Sequence, residues 1–154
     1  MRGHTSSHGH LDVVKYLIDQ GAQANTADNA GVTPLHRASF NGHLDVVKYL
    51  IDQGAQANTA DNAGRTPLIR ASFNGHLDVV KYLIDQGAQA NTADNAGRTP
   101  LIGASFNGHL KVVKYLIDQG AQANTADNEG ATPLNRASFN GHLDVVKYLI
   151  DQGA

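Results

Sequence analysis

Eight histidines and no cysteine set the range of chemistry open to this 154-residue chain. Without Cys there is no disulfide, no thiolate metal site and no sulfur nucleophile. His43, His76, His109 and His142 stand 33 residues apart, each directly after an Asn-Gly pair. A metal centre needs three or four converging ligands, and none of these histidines has a second His or an acid beside it at ligand spacing. A structural place at the start of a helix is the role expected for them. His4, His8 and His10 lie closer together, at a spacing able to catch a stray Zn or Ni ion. Their setting, Met-Arg-Gly-His followed by Thr-Ser-Ser, reads as an adapted start, and no fourth ligand accompanies them. Ser39 with His43 recurs at the same step without an orienting acid, which argues against a nucleophile pair. Asp28, Asp45 and Asp52 occupy turn and helix-surface positions rather than a shared pocket, and the phosphate-loop spacing G-x-x-x-x-G-K-[ST] is absent. No enzyme activity, cofactor or metal is expected.

Charge narrows the partners further. Twelve Lys and Arg against fourteen Asp and Glu give a net charge of −2. A nucleic-acid binder would need a basic stripe to displace counterions from phosphates, so nucleic acid is not an expected partner. No apolar run approaches the roughly 20 residues of a membrane span, and the start lacks the apolar core of a signal peptide. The expectation is a cytoplasmic protein, or a recombinant one without a native location, that makes no membrane contact.

The elements behind these residues repeat. Pro34, Pro67, Pro100 and Pro133 keep a step of 33, as do Phe40, Phe73, Phe106 and Phe139. Residues 25–57, 58–90 and 91–123 are full units, 124–154 stops two residues short, and 1–24 is a remnant that aligns only from His8 onward. Such a period signals a solenoid. Within 25–57, Asp28, Asn29 and Gly31 predict a turn. Thr33 is placed to cap a helix, with Pro34 at its first position, where a missing N–H costs nothing. That helix should run Pro34 to Phe40 and stop at Asn41-Gly42. A second should cover about Leu44 to Gln53, with Leu44, Val47 and Ile51 on one face, widened by Val46 and Leu50. Helices this short do not persist alone in water, so stability must come from stacking.

With D-N-A-G-V-T-P-L-H at 28–36, A-S at 38–39, N-G-H at 41–43, V-V-K-Y-L at 46–50 and G-A at 54–55, the units resemble the ankyrin repeat. The resemblance covers essentially the whole chain from His8. It implies an all-α ankyrin repeat solenoid in one continuous domain: stacked helix–loop–helix pairs with projecting turns. It also implies a protein-binding module that meets another protein through its concave face and finger turns. The His of the T-P-L-H motif ties neighbouring turns in that family. It stands here only as His36; Ile69, Ile102 and Asn135 replace it in the other units.

Differences between the copies read as an internal experiment. Units 25–57 and 58–90 differ at two of 33 positions, 58–90 and 91–123 at two, and the last unit differs from its predecessor at five. Four of the five variable columns cluster in the turn and first helix, on what the family geometry makes the concave side. The candidate partner-binding row is Val32, His36 and Arg37; Arg65, Ile69 and Arg70; Arg98, Ile102 and Gly103; then Ala131, Asn135 and Arg136. Apolar residues bordered by Arg fit interface composition. Two changes are locally unfavourable. Gly103 sits inside a helix, at about 0.5–1 kcal/mol relative to a good helix former. Lys111 puts a cation in a first turn and joins the row as a candidate. Ile69 and Ile102 are expected to be partly exposed anchors for a partner docked on the two central units, with Gly103 admitting its close approach.

The last unit keeps interior-type apolar residues at Val145, Val146, Tyr148, Leu149 and Ile150, which predicts end-to-end self-association. Near-identical copies and a shortened first unit suggest an engineered or consensus-type binder. The alternative is a scaffold, or a piece of a longer array, with no dedicated ligand.

Overall fold

The computed structural model describes residues 11–154; His4, His8 and His10 lie outside the described residues. Among these, nine helices follow one another without a strand: α1 Leu11–Asp19, α2 Pro34–Phe40, α3 Leu44–Asp52, α4 Pro67–Phe73, α5 Leu77–Asp85, α6 Pro100–Phe106, α7 Leu110–Asp118, α8 Pro133–Phe139 and α9 Leu143–Asp151. Each seven-residue helix packs on the nine-residue helix after it. The seven-residue helices α2, α4, α6 and α8 also stack on one another in order, as do the nine-residue helices α1, α3, α5, α7 and α9. The result is a two-layer all-helical solenoid.

The local reasons are those the residues predict. Thr33, Thr66, Thr99 and Thr132 are extended N-caps whose side chains accept from the N–H three residues on, and Pro opens each helix. Gly42, Gly75 and Gly108 end the short helices in the left-handed region, at φ +73° to +75°. The long helices bury Val46, Val47 and Leu50 and their equivalents. Leu44 and Ile51, expected at the centre of that face, are only half-buried at its edges. The buried stripe is centred on the Val-Val pair and the Leu one turn on.

Three hydrogen-bonded or charged ladders tie unit to unit. On the turns, the backbone N–H groups of Asn62, Asn95 and Asn128 donate to the carbonyls of Ala30, Ala63 and Ala96, all at 2.9 Å. At the bends, His76, His109 and His142 reach back with Nε2 to the carbonyls of Phe40, Phe73 and Phe106 at 2.9–3.0 Å. Along the long helices, Lys15, Lys48, Lys81 and Lys114 lie over the rings of Tyr49, Tyr82, Tyr115 and Tyr148 at 5.4–5.6 Å. Each such contact contributes on the order of 0.5–1 kcal/mol at an exposed site. The repeated His is therefore a tie between units.

Candidate functional site

One aspartate organises every turn. Oδ1 of Asp28, Asp61, Asp94 and Asp127 accepts the N–H groups two and four residues on, at 2.9–3.0 Å. Its second oxygen faces the short helix. There Arg37, Arg70 and Arg136 each place Nη2 on Oδ2, at 2.7, 2.6 and 2.7 Å. Burial raises the carboxyl pKa of Asp61 and of Asp127. It is outweighed by the Arg65 and Ala131 N–H groups and by the Arg70 and Arg136 guanidiniums, which hold both below the usual carboxylate range. For Asp28 the Val32 N–H leads in the same direction. Glu129 takes a second bond from Arg136 at 2.8 Å, and the two acids raise the Arg136 pKa.

In the third unit the helix position is Gly103, and the pattern breaks. Asp94 keeps its turn, but the nearest cations to Oδ2 are Arg98 Nε at 3.6 Å and Arg65 Nε at 3.9 Å. Both distances exceed hydrogen-bond reach. The Asp94 side chain is only 4 % exposed, whereas those of Arg65 and Arg98 are 41 % and 48 % exposed. Around it opens a groove of about 600 Å³. It is lined by the buried Ile69, Ile102 and Gly103, by the part-exposed rings of Phe73 and Phe106, and by the charged Arg65, Arg98, Glu129 and Arg136. The Phe73 and Phe106 rings stack at 6.3 Å and 17°.

The candidate row divides on this geometry. Arg65, Ile69, Arg70, Arg98, Ile102, Gly103 and Arg136 line the groove; Val32, His36, Arg37, Lys111, Ala131 and Asn135 do not. The partly exposed anchors are corrected: Ile69 is 7 % and Ile102 1 % exposed. They are buried at the position that His36 holds in the first unit, and both line the groove. Lys111 lies at the exposed start of α7, in the other helix layer.

His36 is fully buried and its ring is already occupied. The Thr33 N–H donates to Nδ1 at 3.0 Å, and Nε2 lies 2.9 Å from the Arg65 carbonyl. An accepting Nδ1 leaves the proton on Nε2, so Nε2 donates to the carbonyl and ties the first turn to the second. Burial keeps the imidazole below its ordinary pKa. Asn135 reproduces only the local half, accepting the Thr132 N–H. Ser39 is fully buried, and its hydroxyl has no partner among the protein's atoms, so it forms no pair with His43. Among the described residues no group of three or more His, Asp or Glu is placed to hold a metal ion. No helix among them is long and apolar enough to cross a membrane.

The residues that single-residue reading missed are Asp94, Phe73 and Phe106. A signal for Asp94 was present: an Asp stands nine residues before each Arg at 37, 70 and 136, and the third unit keeps the Asp without the Arg.

The family model described as ankyrin repeats (three copies) matches residues 4–94 and 87–154. No curated protein matches the chain significantly. Ankyrin repeats are generally protein–protein interaction modules and typically non-enzymatic. The stacked helix pairs, the capped T-P-L helices and the match over nearly the whole length agree: the chain belongs to the ankyrin repeat family.

Proposed function

We propose that this chain binds a specific protein partner through the concave groove over its two central units. The observation that carries the reading is convergence. Three of the five columns in which the copies differ, 32, 36 and 37 of the first unit, supply in the central units Arg65, Ile69, Arg98, Ile102 and Gly103, and all five line one groove. Apolar residues, aromatic rings and half-exposed Arg match the composition of interface centres. The same reading takes the near-identical copies as an engineered or consensus-type array, tailored where its units differ. Units 25–57, 58–90, 91–123 and 124–154, with the remnant 1–24, act in it as one continuous domain.

The test is selection of binders from a displayed peptide or protein library against the 154-residue chain. Binders should lose at least about tenfold in affinity against an Arg65→Ala, Arg98→Ala double variant. They should keep it against Lys48→Ala, Lys81→Ala on the long-helix ladder. Binders indifferent to the groove variant would overturn the proposal.

A second reading, a scaffold that only stacks, draws on the open face of α8 and α9. There Phe139 is 85 % exposed, and Leu143 and Ile150 are exposed as well.

A further inference from the structure

We infer that the groove's centre is a receptor for one arginine side chain of the partner, with Asp94 as its carboxylate. This deepens the reading above and rests on it.

The chain itself supplies the template. In three units an Arg of the short helix delivers its guanidinium to Oδ2 of the turn Asp at 2.6–2.7 Å. Arg70 additionally lies over the Phe40 ring at 5.8 Å. The third unit keeps the receiving half: Asp94, held by the Ala96 and Arg98 N–H groups at 2.9 Å, and Phe73 in the place of Phe40. Only the donor is missing. A Cβ built on Gly103 would lie in ordinary contact with Phe73, 3.4 Å from Cδ1, and the groove beyond it is lined by Asp94, Phe73 and Phe106. A carboxylate taken from water without a hydrogen-bonded cation is costly. An incoming guanidinium offers two N–H groups in the geometry a carboxylate prefers, and its flat face suits an aromatic ring.

Arg65 and Arg98 are the competing chemistry. Both are half-exposed, and both lie within ion-pair range of Asp94 but beyond hydrogen-bond distance, so neither guanidinium is bonded to the carboxylate. The neighbouring turn shows the combination is compatible: Asp61 accepts Arg70 while Arg65 stands in the same turn. An acidic visitor would find these two cations but would also meet the Asp94 carboxylate. Arg136 adds no free positive charge, because it is bonded to Asp127 and Glu129.

The experiment is an NMR titration of the full chain, at low ionic strength, with the tripeptide acetyl-Gly-Arg-Gly-amide. Its citrulline, lysine and glutamate counterparts serve as competitors. Saturable shifts confined to residues 94–106 and the Phe73 ring are expected, at least about tenfold weaker with citrulline, which keeps the shape and loses the charge. Asp94→Asn should weaken arginine binding by a similar factor. Gly103→Arg, which supplies the guanidinium from within, should abolish it. Arg70→Gly should create a second equivalent site and raise the stoichiometry to two. Absence of saturation, indifference to Asp94→Asn and Gly103→Arg, or preference for the glutamate peptide overturns the inference. The two proposals fail separately. Library binders that depend on the groove but carry no essential arginine would remove this inference alone. Binders that ignore the groove would remove the protein-binding reading, even where the tripeptide still binds.

Discussion

At residue scale, one position is filled in three chemical ways across four units, and the consequences are separable. His36, Ile69, Ile102 and Asn135 are equivalent in sequence, yet His36 alone spans two units, from Thr33 to the Arg65 carbonyl. Its imidazole is held neutral, chiefly by burial, and its pKa lies below the ordinary value. In the unfolded chain the ring gains a proton as the pH falls below about 6.5, while the folded ring resists. The unfolded state then binds more protons, and stability falls with pH. The contribution is complete above the ordinary His value and is lost as the pH drops from there through the folded value. His36→Ile removes this component, so its stability should fall less than the parent's between pH 7.5 and pH 5.0. Urea denaturation at the two values measures it. His109 is also lowered, mainly by burial, but it is present in both proteins and cancels. Equal losses in the two proteins would refute the assignment.

At the scale of elements, the junctions between units matter more than the helices. Glycines 42, 75 and 108 are demanded twice. Each has a left-handed φ, and a Cβ there would fall 2.4–2.5 Å from Nδ1 of the next unit's His ring. Gly141 has the same φ of +74° with nothing within 4 Å, so it isolates the backbone part. Gly75→Ala should destabilise by about 2–4 kcal/mol, and Gly141→Ala by about 1–2 kcal/mol, the usual range for a side chain forced left-handed. Chemical denaturation of both variants checks the difference, which reports the His109 contact. This explains why Asn-Gly-His is unchanged in the four units from residue 25 onward: Gly makes room, His fills it, and the next Asn donates to the same Phe carbonyl. The repeat was legible in the sequence as helix caps and apolar spacing. The ladders were not, because they join residues 29 to 36 positions apart, which no local pattern reports.

For the whole molecule, the stacking that buries α4 and α6 on both sides leaves α8 and α9 covered on one side only. Phe139, Leu143 and Ile150 stand exposed, whereas Phe73 and Phe106 stack on each other. Surfaces of this kind mark contact sites. Sedimentation of the 154-residue chain at rising concentration should show reversible self-association, reduced by Phe139→Glu and Leu143→Glu together. A monomer throughout the concentration range would count against it. The groove, by contrast, belongs to the middle of the array, where neighbours on both sides hold its walls.

The sequence by itself determined the repeat, both helix types, their caps and the all-α solenoid. These depend on short-range spacing, turn chemistry and the copying of one unit. It also marked the columns that vary. Only the tertiary structure decided which of them meet. Packing the short helices side by side put Ile69 and Ile102 beneath the surface, committed His36 to a tie between turns, and left Lys111 in the other layer. It also turned the loss of one Arg side chain at position 103 into a groove lined by a buried carboxylate. The physical reason is that a side chain's exposure and its ionic partners are set by the neighbouring unit. In this chain, the unit next door is what gives identical sequence positions different chemistry.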